Sequence, residues 1–338
     1  LRDAGVDATR AQSSSDKLRI VSRSLSSRAY EWMFSPFQPN AEVRLPDAPR
    51  RETGNSSGES LRVRWLGTAG FIVESARTTV MIDPYLSRLP LPVLATSALA
   101  PDEKAVRARL PTRVNAVLCG HSHFDHLLDA PLIARITGAK LFGSRTTRAF
   151  GLAAGLEPEQ IVEVDATGGE FSVGDLDIRF VPSLHARLLM GSVPFAGEVS
   201  PPAPSAARVW QYRMGGAFGI FVGASGATLY HNGSADLIDA GLAGLRADLL
   251  LVGIVGRKYA TDYVPRLLRL LRPSVVVPAH HDAFFAPLED GLRLLPGVDL
   301  DGFVAEVRRV RPEAQIVAPM YDEIMALDAA AGRAFRHS

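Results

Sequence analysis

The sequence predicts an α+β fold in which sheet packs on sheet and helices cover the outer faces. Three observations carry that reading. Short apolar or alternating runs, bounded by Gly, Asn, Asp and Ser, recur early and late in the chain. Stretches of helical spacing are interspersed among them in each half. An apolar strand, VNAVLCG, runs directly into HSHFDH at 121–126, and ligands gather at strand carboxyl ends. With 338 residues, 47% hydrophobic and 22% charged, the chain is long and apolar enough for a well-buried core.

The elements follow in order. Residues 1–16 are polar and unpatterned, a mobile start. Leu18, Val21, Leu25, Ala29, Trp32 and Met33 then make a helical stripe with Arg19, Arg23 and Arg28 outside it. That stripe suits a helix packed on the main domain, or a peripheral contact of residues 18–34 with an anionic membrane surface. Four prolines and RRETGNSSGES make 35–60 an extended arm and linker. Residues 1–60 therefore form an extension, 61–330 the main domain and 331–338 a tail. From Leu61, LRVRWLG, GFIVES and TTVMID read as strands, then VNAVLCG. LLDAPLIARITGA reads as a helix, KLFGS as a strand, and TTRAFGLAAG as a helix capped by Gly155. QIVEV is a strand, and EFSV and LDIRFVPS meet at Gly174-Asp175 in a hairpin. VWQYRM and AFGIFVG are expected to pair across Gly215-Gly216, followed by the strand ATLYHNG. ADLIDAGLAGL, TDYVPRLLRLLR and DGFVAEVRRV are helices; DLLLVGIVG, SVVVPAHH and QIVAPMY are strands.

Composition excludes several classes. Lys and Arg total 37 against 36 acids, a net charge of +1, so binding to nucleic acid through a broad basic face is not expected. Nothing is long and apolar enough to span a membrane. The single cysteine, Cys119, permits no internal disulfide and lies in an apolar strand, as a small buried hydrophobe does. A soluble chain is expected with its compartment open, either cytoplasmic or, as the start at Leu1 rather than methionine allows, exported after loss of a signal segment.

Three of the eight histidines sit within HSHFDH. Imidazole nitrogens and carboxylate oxygens are ligands for a zinc-like ion. His121 and His123, two apart on extended backbone, point the same way and could share one ion. Asp125 and His126 then turn toward a second position.

This motif, placed after a strand, resembles the metallo-β-lactamase superfamily of metal-dependent hydrolases, over roughly Leu61 to Met325. The resemblance implies a four-layer αββα sandwich with two ions, most simply Zn2+ with Mn2+ or Fe2+ as alternatives, in a groove at the sheet edges. WLGTAGFIVES resembles the family's opening hairpin, and Asp83 in MIDPYL its early aspartate, which braces the site from behind the ligands. His185 in VPSLHAR falls at the third histidine of the first metal, and His280 in VVVPAHHDAFF at the last histidine of the second. The implied sets are His121, His123 and His185 for one ion, and Asp125, His126 and His280 for the other. Asp125 would also act in catalysis, orienting the nucleophile and accepting its proton. His280 is preferred to His281, and His231 reads as a satisfied sheet histidine. One departure stands out: the family's Gly-Asp pair, whose aspartate bridges both ions, is here Gly233-Ser234, with Asp236 two residues on. Either Asp236 reaches in, or the ions lack a protein carboxylate bridge, which is the preferred reading.

The expected activity is hydrolysis by a metal-activated water of a phosphodiester or related ester, on a small or lipid-derived substrate. The alternatives are a lactonase or β-lactamase-like hydrolase, a non-catalytic metal-binding interaction module, a di-iron redox protein of the same fold, and a nuclease. Residues 187–208, too long for a hairpin, form either a packed surface loop or a lid lined by Val193 and Phe195. Arg145, Arg257 and Lys258 follow strands that open toward the site and are candidate cations for a phosphate or carboxylate, with solvated or paired surface charge as the alternative.

Overall fold

The apolar runs assemble into two mixed sheets. The structure, a computed structural model, describes residues 34–47, 59–188, 191–224 and 226–337. The mobile start expected over 1–16, the helical stripe Leu18 to Met33 and residues 48–58 of the linker lie outside the described residues. The first sheet has eight strands, in the order Arg333–Arg336, Ile324–Asp328, Glu59–Gly67, Gly70–Glu74, Thr79–Ile82, Ala116–Leu118, Lys140–Gly143 and Ile161–Glu163. The second has seven: Gln315–Ile316, Val275–Ala279, Leu249–Gly253, Ala227–Asn232, Phe218–Ala224, Leu176–Pro182 and Gly169–Val173. Each sheet changes from antiparallel hairpin pairing to parallel pairing as the chain advances, and the first then gains two antiparallel strands from the end of the chain. The two halves thus repeat one design without a repeated sequence.

Period-2 alternation assigns the layers. Phe71 and Val73 face the opposing sheet while Ile72 faces the helices, and Leu249 and Leu251 face inward while Leu250 and Val252 face out. The central core joins Val63, Trp65 and Phe71 to Phe180, Ile220 and Leu251. Helices Ala130–Thr137 and Arg145–Ala153 cover the first sheet through Ile133, Ala149 and Phe150. Helices Tyr263–Leu271 and Leu300–Val310 cover the second through Val264, Leu267, Leu268, Phe303 and Val307. Each Val, Leu, Ile or Phe side chain among these, when fully buried, stabilises by roughly 1.5–3 kcal/mol. The result is the four-layer sandwich, helix, sheet, sheet, helix.

Local signals decided several boundaries. Ser144 caps the Arg145 helix by accepting from the Thr147 amide, and Gly155 follows that helix at φ +82°, a left-handed C-terminal position that suits glycine. Gly174-Asp175 makes the two-residue turn between Val173 and Leu176. Other expectations need correction. VWQYRM is no strand; Val209–Gln211 is a single 3-10 turn. The helix in ADLIDAGLAGL shrinks to Asp239–Leu242, and the strand in QIVAPMY to Gln315–Ile316. Residues 331–338, expected as a tail, contain Arg333–Arg336, which pairs with Ile324–Asp328 and completes the first sheet. Part of the expected extension also belongs to the body: Phe34, Val43 and Leu45 are buried, and Ser35–Pro36 pairs with Arg293–Leu294. Among the described residues, no helix is long and apolar enough to cross a membrane.

Candidate metal centre

The strand Ala116–Leu118 is buried on both faces and delivers the chain through Cys119 and Gly120 into the histidine cluster. Gly120 donates its amide to Asp83 Oδ1 at 2.6 Å, and a Cβ there would lie 3.0 Å from Asp83 Oδ2 and 3.2 Å from the Phe218 carbonyl. Only a residue without a side chain fits comfortably. His121 and His123 remain on non-helical backbone. His123 is the N-cap of the four-residue helix Phe124–Leu127, which carries Asp125 and His126 and re-aims them. His185 follows the strand Leu176–Pro182, and His280 follows Val275–Ala279, both in the other sheet.

These segments converge. The ligand atoms of His121, His123 and His185 lie within 4.8 Å of one another, as do those of Asp125, His126 and His280. His121 Nε2 is 3.1 Å from His123 Nδ1, and Asp125 Oδ2 is 3.1 Å from His280 Nε2. A third grouping, Asp83, His121 and His126, sits behind them. The outer nitrogens of His123 and His185 are held by carbonyl acceptors. His123 Nε2 donates to the Pro194 carbonyl at 2.9 Å, and His185 Nδ1 to the Ala186 carbonyl at 2.8 Å. His126 Nδ1 lies 2.9 Å from Asp83 Oδ2. A carbonyl acceptor requires the proton on the nitrogen that faces it, so His123 Nδ1 and His185 Nε2 keep their lone pairs for the cluster. That arrangement fits a cation.

The electrostatics agree. Burial, reinforced by the neighbouring histidines, holds His121 well below its ordinary value and takes His123 down to about 3. Burial lowers His185 too. All three are therefore neutral bases at pH 7, as metal ligation demands. Burial alone would raise Asp125, but His126 and His280 override it and keep the carboxylate ionised. Burial likewise opposes charge on His126, yet Asp83 and Asp125 outweigh it and raise that group.

The remaining expected residues fall elsewhere. His281 is fully buried, with its ring stacked on Trp65 at 4.8 Å, so His280 alone of that pair enters the cluster. His231 bonds the Ala69 carbonyl at 2.9 Å, and its other nitrogen lies 3.9 Å from Asp83 Oδ2. It belongs to none of the three groupings. Ser234 donates to the Leu184 carbonyl, and Asp236 meets Arg266 at 3.3 Å, so neither puts a carboxylate between the two sets. Arg257 is buried and paired with Glu306 at 2.9 Å and Asp299 at 3.2 Å; Lys258 also meets Asp299. Arg257 is thus a buried, paired charge and Lys258 a paired surface charge. Arg145 is exposed at the first turn of its helix. The 187–208 loop serves both readings: Ala203 and Ala207 pack in the outer core, while Pro194 bonds His123 and the Phe195 ring stands 6.2 Å from the His123 ring.

Sequence reasoning missed a buried charge network one layer behind His280. Arg88 pairs with Asp282 at 2.7 Å, and Tyr321 donates to the same carboxylate at 2.8 Å. The available signal was weak: an arginine five residues after Asp83, and an acid two after His280.

A family profile described as a beta-lactamase superfamily domain matches residues 62–280. This chain belongs to the metallo-β-lactamase superfamily of metal-dependent hydrolases. It is 29% identical over 265 residues to a metal-dependent hydrolase of Myxococcus xanthus, covering 76% of this chain and 80% of that protein. Identity to one of Methanopyrus kandleri is 27% over 269 residues, 76% of this chain and 96% of the relative. Among solved structures, the metallo hydrolase Igni18 of Ignicoccus hospitalis superposes with a TM-score of 0.51 at 20% identity, over 79% of this chain and 98% of its own. CmlA, a diiron β-hydroxylase of Streptomyces venezuelae, gives 0.52 at 15%, over 84% and 55%. At such identities these two show the shared superfamily fold.

Proposed function

We propose that this superfamily member is a hydrolase of phosphodiester or related ester bonds, with His121, His123 and His185 holding one divalent cation and Asp125, His126 and His280 a second. The carrying observation is two three-residue donor sets, each drawn from both sheets, that lie side by side with the His121 and His126 rings 3.8 Å apart. The nitrogen-rich first set favours zinc, and Mn2+ or Fe2+ suit the carboxylate-containing second set less selectively. A bound divalent cation acidifies water and polarises the attacked carbonyl or phosphoryl group. The chain's own residues do the rest. Asp125, ionised and 3.1 Å from His280, orients the nucleophile and accepts its proton. Asp83 and the Pro194 and Ala186 carbonyls keep the imidazoles aimed. Phe195, 36% exposed beside His123, offers an apolar wall to an acyl or lipid-derived group.

Ser234 at the bridging position favours a second reading, a metal-binding module without turnover. One experiment separates them: metal content by mass spectrometry, then assay of phosphodiesters, lactones and esters before and after chelation and metal return. Chelator-sensitive phosphodiester or ester hydrolysis is expected. Bound metal with no turnover across the panel establishes the second reading, and turnover of lactones alone reassigns the substrate class. A protein that retains no divalent cation sinks both.

A further inference from the structure

Arg88 carries a charge that the proposed chemistry does not use, and its guanidinium side chain is only 2% exposed. Its forked donors meet acceptors in several directions: Asp282 Oδ2 at 2.7 Å, Thr68 Oγ1 at 3.1 Å and the Ala286 carbonyl at 3.1 Å. Asp282 accepts the Thr68 amide at 2.8 Å on its other oxygen, and Tyr321 adds its hydroxyl at 2.8 Å. Thr68 in turn accepts the His280 amide on its carbonyl at 2.7 Å. A continuous set of short bonds therefore runs from Arg88 through Asp282 and Thr68 to the backbone of His280.

Backbone conformation shows what those bonds do. Arg88, Thr68 and His280 all occupy the left-handed region, at φ +46°, +51° and +54°. Residues with side chains visit it rarely and persist there only where the surroundings over-determine them. His280 adopts it with Nε2 3.1 Å from Asp125 Oδ2. An apolar pair of similar volume often stabilises as well as a buried ion pair, but it lacks the directional bonds that orient a turn. The other donor set has separate supports, Pro194 for His123 and Ala186 for His185.

We propose that Arg88, acting through Asp282 and the Thr68 turn, is a positioning residue that holds His280 in register with Asp125 and His126, and so sets cation affinity at that set alone. The inference rests on the ligand assignment proposed above. Its test is titration of metal-free protein with Co2+ or Zn2+ against a chelating dye, resolving the two equivalents. Wild type is compared with Arg88→Met, Arg88→Lys and Tyr321→Phe, with near-ultraviolet circular dichroism reporting the fold.

In Arg88→Met, the affinity for the first equivalent is expected to hold while that for the second falls by ~10-fold or more, the usual scale for groups that orient ligands. Arg88→Lys, which keeps the charge and loses the fork, recovers part of the loss. Parallel weakening of both equivalents in a folded variant, or of neither, overturns the inference. If Arg88→Met does not fold, Tyr321→Phe decides, since it removes the hydroxyl that donates to Asp282 and accepts from Arg88 at 3.0 Å, and leaves the ion pair. Selective weakening of the second equivalent supports the inference, and an unchanged second equivalent overturns it. Wild type holding one equivalent overturns the inference while the hydrolase reading stands. Wild type holding none removes the ligand assignment itself.

Discussion

At the residue scale, His126 and Asp83 show how one buried contact sets the chemistry of a proposed ligand. Asp83, fully buried, faces His126 Nδ1 at 2.9 Å and leaves Nε2 toward Asp125. Asp83→Asn is expected to lower metal affinity or activity by about 10–100-fold with the fold intact, checked by metal competition and circular dichroism. A second buried acid serves the loop rather than the cluster. Asp129 accepts the amides of Leu86 and Ser87 and the Ser87 hydroxyl. Burial nevertheless raises it from 3.8 to about 6, against the pull of those bonds. The folded form thus binds a proton that the unfolded form has already released between about pH 4 and 6. This contribution is fully present below pH 4 and is lost as pH climbs through 6, with a ceiling of roughly 3 kcal/mol. Urea unfolding across that range should show the wild type losing stability relative to Asp129→Asn; parallel curves refute it. These placements were partly legible. The four proposed ligands of HSHFDH stood out because motif spacing is local, and Asp83, His185 and His280 came only through the family resemblance, whereas nothing near Ser87 announces that Asp129 would be buried against it.

At the element scale, the turn Arg257–Tyr259 is tied to the helix Leu300–Val310 by the Arg257–Glu306 and Arg257–Asp299 pairs. Arg257→Ala should therefore lower stability, by roughly 1–3 kcal/mol given its partly exposed partners, and leave KM for an anionic substrate unchanged. A raised KM without loss of stability would return Arg257 to substrate binding. The segment Val209–Gln211 explains one misread element. Its alternation looks like a strand, yet Trp210 is exposed with the Arg208 guanidinium 5.3 Å from its ring, and Tyr212 stacks on Phe150 at 4.4 Å. Two aromatic rings facing different surroundings produce period-2 spacing in a turn as readily as in a ladder, and a short window does not separate them. Beside it, Phe195→Ala should raise KM for substrates with a long acyl group several-fold and leave short-chain esters unaffected, because what it removes is apolar contact area. Equal effects on both chain lengths would assign Phe195 to loop packing.

At the scale of the whole molecule, the candidate centre joins the two sheets. His121 to His126 extend from the first, and His185 and His280 from the second. A cation bound there ties both halves of the sandwich together and favours the folded chain over the unfolded one. Free metal at 100 times its dissociation constant should stabilise by about 2.7 kcal/mol per site, read as a rise in unfolding midpoint that a chelator reverses. An unchanged midpoint would mean that no cation bridges the sheets.

Sequence by itself determined the alternation that builds two-faced strands, the helical stripes that cover them, and the HxHxDH spacing that turns four side chains toward two positions. Each is a short-range property, carried by dihedral preference and side-chain period. Tertiary structure alone decided that His185 and His280 approach that segment, and that His280 enters while His281 stacks on Trp65. It also decided that Asp236 turns to Arg266, and that Arg88 and Asp282 meet across 194 residues. Those outcomes depend on which strands become neighbours across the sandwich, and burial, not spacing, then selects the partner of each charge.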